Sequence, residues 1–77
     1  MTNLNKILAI VESLEVLADM TVFDPARSFK DNGIDSLDVM NLFLEIEETF
    51  DTKFTEEELL KIHTVNDVLK ELDARGL

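Results

Sequence analysis

The stretch Asp35-Ser36-Leu37-Asp38-Val39-Met40-Asn41-Leu42-Phe43-Leu44-Glu45-Ile46-Glu47-Glu48-Thr49-Phe50 decides how this chain folds. Val39, Leu42, Phe43, Ile46 and Phe50 recur at the three-and-four spacing that lines one face of an α-helix. The spacing predicts a helix from about Ser36 to Phe50 with that face turned inward. Leu37, Met40 and Leu44 share a second apolar line, offset from the first. Either they widen the buried stripe or they form an exposed strip beside the acidic groups.

Working outward, Asn3 to Leu17 carries a second periodic set, Leu4, Ile7, Leu8, Val11 and Leu14, and predicts a helix with Asn3 as its N-cap. On the C-terminal side, Thr55 to Lys61 predicts a short helix. Thr55 and Glu58 have the spacing of a capping box, in which each side chain satisfies the other's backbone N–H. Thr64 and Asp67 repeat that spacing before a last helix from Val65 to about Ala74, with Val65, Val68, Leu69 and Leu72 facing the core and Gly76 just past its end. Between the first two helices lies a long connection, about Ala18 to Asp35. Asp24-Pro25 and Asn32-Gly33 mark turns within it, and Val22 and Phe29 are expected to tuck inward and anchor it. Connections of that length are uncommon in compact domains and are often functional.

The expected fold is therefore all-α: one domain over residues 1–77, a small four-helix bundle with a short third helix. A chain of this size buries only about 60% of its unfolded surface, which leaves no room for a deep catalytic cleft. There is no Cys, hence no disulfide and no thiolate metal site. Met1-Thr2-Asn3 lacks the basic start of a signal peptide, and no apolar run approaches the roughly 20 residues of a spanning helix, so a cytoplasmic location without stable membrane insertion is expected. Seventeen Asp and Glu against seven Lys and Arg give a net charge of −10. That charge repels nucleic acid, steers the chain toward basic partners and disfavours self-association, so a monomer is expected. Composition this acidic also suits disordered chains, but 45% hydrophobic residues in periodic stretches point to a folded one.

Ser36 stands where the loop turns into the central helix. The first amides of a helix lack intrahelical partners and sit at the positive end of its dipole. A phosphate ester on Ser36 Oγ would meet those donors. The plain alternative is that Asp35 and Ser36 only cap the helix, with Asp35 and Asp38 at loose capping-box spacing. From Asp31 through Thr52 there is no Lys or Arg, while Asp31, Asp35, Asp38, Glu45, Glu47, Glu48 and Asp51 are acidic, so one sign of charge dominates this element.

Asp35-Ser36-Leu37-Asp38 runs on through Val39-Met40-Asn41-Leu42 and Glu45 to Phe50, then Asp51-Thr52-Lys53-Phe54, an acidic short helix and Lys61-Ile62-His63-Thr64-Val65. Over roughly Phe29 to Leu72 this resembles the acyl carrier protein family. The resemblance implies a four-helix bundle with a short third helix. It also implies that Ser36, flanked by Asp35 and Leu37, receives 4′-phosphopantetheine from coenzyme A by way of a phosphopantetheinyl transferase. The arm's thiol would carry acyl groups as thioesters to acyl-transferring and chain-elongating enzymes of fatty-acid or related biosynthesis. Those enzymes would dock basic patches on Asp35, Asp38, Glu47, Glu48, Leu37, Met40 and Leu44. Ile62 would lie near the entrance of an acyl cavity, with Leu44 and Ile46 near its wall; the plain alternative makes all three ordinary core residues.

The chain departs from the commoner fatty-acid pattern at Asn41, Leu44 and Glu45 and in Lys30-Asp31-Asn32-Gly33-Ile34. This leaves open a specialised polyketide, lipid or aminoacyl carrier. From a different class, an unmodified acidic helical adaptor stays open too, and it would be indifferent to Ser36. No catalytic set is expected, because Ser36 has no partner base beyond neighbouring carboxylates. No metal is expected: His63 is the single histidine, and placing Gly33 at position 6 of a calcium loop puts Lys30 at position 3 and Val39 at position 12, where oxygen ligands are needed.

Overall fold

The computed structural model describes residues 2–15 and 20–77. Among these, the elements run α1 (Asn3–Ser13), a 3₁₀ turn (Met20–Val22), α2 (Ser36–Phe50), α3 (Glu56–Lys61) and α4 (Val65–Ala74), with no β-strand. α1 packs against both α2 and α4. The three longer helices close around Ile7, Val11, Leu42, Ile46, Val65, Val68 and Leu72, all essentially inaccessible to solvent. Phe43 joins the loop to the α2–α3 connection, its ring meeting Phe29 and Phe54 edge-on at 5.8 and 5.7 Å.

α2, α3 and α4 span the ranges expected from periodicity and caps. Both capping boxes are formed: Thr55 with Glu58, and Thr64 with Asp67. α4 ends in a Schellman motif, Gly76 N–H on Asp73 O and Leu77 N–H on Leu72 O, with Gly76 at φ 75.

α1 departs from expectation at both ends. Thr2 is the N-cap, its hydroxyl accepting from Asn5 N–H at 3.1 Å, while Asn3 donates its side-chain amide to Leu77 O and ties the chain ends together. The helix stops at Ser13, four residues short of the expected Leu17, because Leu14 caps it and Glu15 turns left-handed at φ 54. No Gly or Pro announces this stop. Leu17 and Ala18 lie outside the described residues. The buried face of α1 also includes Ile10, whereas Leu8 is only half-buried. In the connection, Phe29 is buried as expected, but Val22 is 70% exposed and anchors nothing. Ile34 supplies the second anchor instead.

Arg75, next to the chain end, holds α3 to α4. Its guanidinium donates to Glu58, Glu71, Thr52 Oγ1 and Lys53 O, and it stacks over Phe54 at 4.8 Å. The Thr55 backbone N–H, followed by Arg75, lowers the Glu58 carboxyl from its ordinary 4.5 to about 2. Asp67 is lowered as well, first by the His63 backbone N–H. A carboxyl with a depressed folded pKa stabilises above its unfolded value and loses that effect as pH falls toward its folded value. The melting temperature is therefore expected to drop as pH goes from about 4.5 to 2. Glu58→Gln should start lower at neutral pH and fall less steeply over that window. Parallel curves for the two chains, recorded by circular dichroism, would contradict this account.

Candidate functional site

The loop that delivers Ser36 is built by short-range hydrogen bonds. Asn32 is its staple: the side-chain oxygen accepts from Asp24 N–H at 2.9 Å, and the amide group donates to Asp24 O and Ser28 O. Gly33 follows at φ 85, a left-handed conformation that a side chain disfavours. Ile34 then buries its side chain and donates its N–H to Phe29 O at 3.0 Å. The loop is also pinned from outside. Ser28 pairs with Thr64 in an isolated antiparallel bridge, Phe29 N–H bonds His63 O at 2.9 Å, and Asn66 N–H bonds Pro25 O.

Asp35 is the N-cap of α2, with extended backbone and its carboxylate accepting from Asp38 N–H at 2.9 Å. Val39 N–H is taken by Asp35 O. That leaves the amides of Ser36 and Leu37 without a protein acceptor among the described residues. Two donors at the positive end of a 15-residue helix thus face solvent beside an exposed serine hydroxyl. The arrangement fits an ester phosphate on Ser36 Oγ, which would accept from them. No hydrogen bond joins Ser36 Oγ to His63 or to a carboxylate among the described residues, so the hydroxyl is not held as an activated nucleophile.

Ser36 stands on the wall of a cavity of about 850 Å³, between the loop, the start of α2 and the end of α3. Phe29, Ile34, Val39, Leu59 and Ile62 give it an apolar floor, and Met40 and Leu60 stand at its rim, both largely exposed.

Of the three residues expected around an acyl cavity, Ile62 lines this one and Ile46 lies in the bundle core. Leu44 requires correction. It is 60% exposed on the far side of α2, in a groove with Glu48, Asp51 and Lys53, so it walls no interior space. Leu37 and Met40 are also more than 60% exposed. The second apolar line of α2 is therefore an exposed strip, opposite the buried stripe. Asp38 and Glu48 flank it, whereas Glu47 is half-buried and its carboxylate accepts from Phe54 N–H at 2.8 Å, a structural tie. Ser28, Lys30 and His63 share the wall with Ser36, a grouping that no local pattern announces, since the Ser28–Thr64 bridge that gathers them is a long-range contact. Among the described residues there is no cluster of side chains able to hold a metal ion, and no helix is long and apolar enough to cross a membrane.

Residues 5–72 match the family model described as a phosphopantetheine attachment site. The chain is 45% identical over 69 residues to the acyl carrier protein of Syntrophus aciditrophicus (strain SB), an alignment covering 88% of this chain and 84% of that relative.

Proposed function

The chain belongs to the acyl carrier protein family, and from that premise we propose that Ser36 is the residue bearing its 4′-phosphopantetheine arm. The observation that carries this assignment is an exposed serine at the first position of α2, beside two unpartnered amides and the mouth of an apolar cavity. Each part has a task. Asn32, Gly33 and Ile34 set the loop so that the serine is presented to solvent, where a transferase can reach it. Asp35 uses its carboxylate to start the helix and leaves Ser36 and Leu37 N–H free for the phosphate. The arm supplies a thiol that holds acyl groups as thioesters.

Leu37, Met40 and Leu44, with Asp38 and Glu48 beside them, form the face for partner enzymes. An apolar strip within a single sign of charge fits a partner that presents apolar side chains ringed by Lys or Arg. Phosphopantetheinyl transferases and acyl-transferring or chain-elongating enzymes are the expected partners. The net charge of −10 disfavours self-association and so favours a monomer.

Incubation with a phosphopantetheinyl transferase and coenzyme A is expected to add the mass of one phosphopantetheine unit. Ser36→Ala should abolish the gain without lowering the melting temperature, because the cap is Asp35. No gain with several transferases of different specificity would leave Ser36 a helix-start residue and make the chain an acidic adaptor. Loading by transferases specific for polyketide or aminoacyl substrates, in place of fatty acyl ones, would assign the specialised pathway.

A further inference from the structure

Asn32 alone among the asparagines of this chain is followed by Gly. Asn3, Asn5, Asn41 and Asn66 precede Leu, Lys, Leu and Asp, and all four lie within helices. An Asn-Gly step is prone to ring closure, because glycine has no side chain to shield its nitrogen and lets the backbone turn freely. Gly33 is exposed, and a Cβ built on it would meet no atom within 4 Å, so the space around the step is open. Yet both reacting groups are occupied. Gly33 N–H donates to Lys30 O at 2.9 Å. The Asn32 carboxamide accepts from Asp24 N–H and donates to Asp24 O, Ser28 O and, at 3.3 Å, Arg27 O. The amide nitrogen that would have to leave is the one that staples the loop.

We infer that Asn32 is a modification site held in check by the fold. Its conversion to aspartate or isoaspartate is slow while the loop is closed, and the converted chain presents Ser36 poorly. That functional half rests on the carrier reading of Ser36. The chemistry needs only water. Gly33 N gives its proton to solvent base and bonds to Asn32 Cγ; the Cγ–Nδ2 bond breaks, and the amide nitrogen takes up a proton and leaves as ammonia. The five-membered imide then adds water at either carbonyl. Breaking the bond from Gly33 N to Cγ yields aspartate. Breaking the bond from Gly33 N to the Asn32 main-chain carbonyl yields isoaspartate, with an extra methylene in the main chain. One water is consumed and one ammonia released, with no change of oxidation state. Either product removes the staple. A carboxylate has no proton to give to Asp24 O, Arg27 O and Ser28 O, and it sets a negative charge against those three carbonyl oxygens. Isoaspartate also displaces Gly33 and Ile34, and Ile34 is the buried anchor directly before the Asp35 cap.

The full chain is held at mildly alkaline pH, either folded or in guanidinium chloride, and intact mass with peptide mapping follows the exchange of amide for acid. Conversion at Asn32 should run at least about tenfold slower in the folded chain, the factor set by a local opening free energy of about 1.4 kcal/mol. The aspartate and isoaspartate forms are separated from the folded sample by ion exchange. They and Asn32→Asp are then given a phosphopantetheinyl transferase and coenzyme A. Each should melt lower than the unconverted chain and take the arm about two- to tenfold more slowly. Equal conversion rates in the folded and unfolded chain would overturn the protection, and conversion at another Asn in place of Asn32 would overturn the site. An unchanged attachment rate in the separated forms would overturn the consequence for Ser36, whether or not Asn32→Asp folds. An unconverted chain that accepts no arm would overturn the carrier reading and the functional half with it; the conversion rates and melting curves would still judge the guarded site.

Discussion

Phe43→Ala is expected to lower folding stability by about 3–5 kcal/mol, the largest effect of any single substitution considered for this chain. The ring is 6% exposed and packs edge-on against Phe29 of the loop and Phe54 of the α2–α3 link. Its removal costs the transfer energy of the ring, the cavity left behind and two aromatic contacts. A chain of 77 residues has roughly 4–12 kcal/mol of stability in all, so the loss is a large share of the total. The effect reaches function because Phe43 braces Phe29, which lines the Ser36 cavity. Urea denaturation checks the prediction. A loss below about 1 kcal/mol would mean that the loop and link are held by their hydrogen bonds, and that the aromatic cluster contributes little.

Ile34→Ala is expected to cost about 2–4 kcal/mol, while Leu37→Ala stays within about 0.5 kcal/mol of the parent. The two aliphatic residues lie three apart on either side of the serine and look alike on paper. Ile34 is 2% exposed and sits directly before the cap; Leu37 is 69% exposed on the outer strip. Ile34→Ala should therefore also slow attachment of the arm, because the loop no longer fixes where α2 begins. Leu37→Ala should leave stability alone and weaken binding to partner enzymes. Thermal melts beside transferase kinetics separate these outcomes. Equal destabilisation by both substitutions would remove the distinction between core anchor and docking strip.

The helices with strong local signals were legible. α2, α3 and α4 follow from apolar spacing and from caps whose two halves lie three residues apart, and such short-range contacts leave their mark in a short window. Where the end of an element depended on backbone geometry with no turn residue to signal it, as at Ser13 to Glu15, periodicity ran past the true stop. Val22 was expected inward on hydrophobicity alone, and hydrophobicity does not exclude exposure at single positions.

The sequence by itself determined an acidic all-helical bundle with a serine at the head of its central helix, because composition, period and capping are local properties of the chain. Only the tertiary structure decided that Leu37, Met40 and Leu44 face outward, since two apolar lines on one helix cannot both meet a core that approaches from one side. It alone decided that Arg75 ties α3 to α4, a contact spanning 17 residues to Glu58 and 23 to Thr52. It likewise brought Lys30 and His63 to the wall beside Ser36, through a backbone pairing between Ser28 and Thr64. Long-range contacts like these form only once the core has closed and the loop has somewhere to lie.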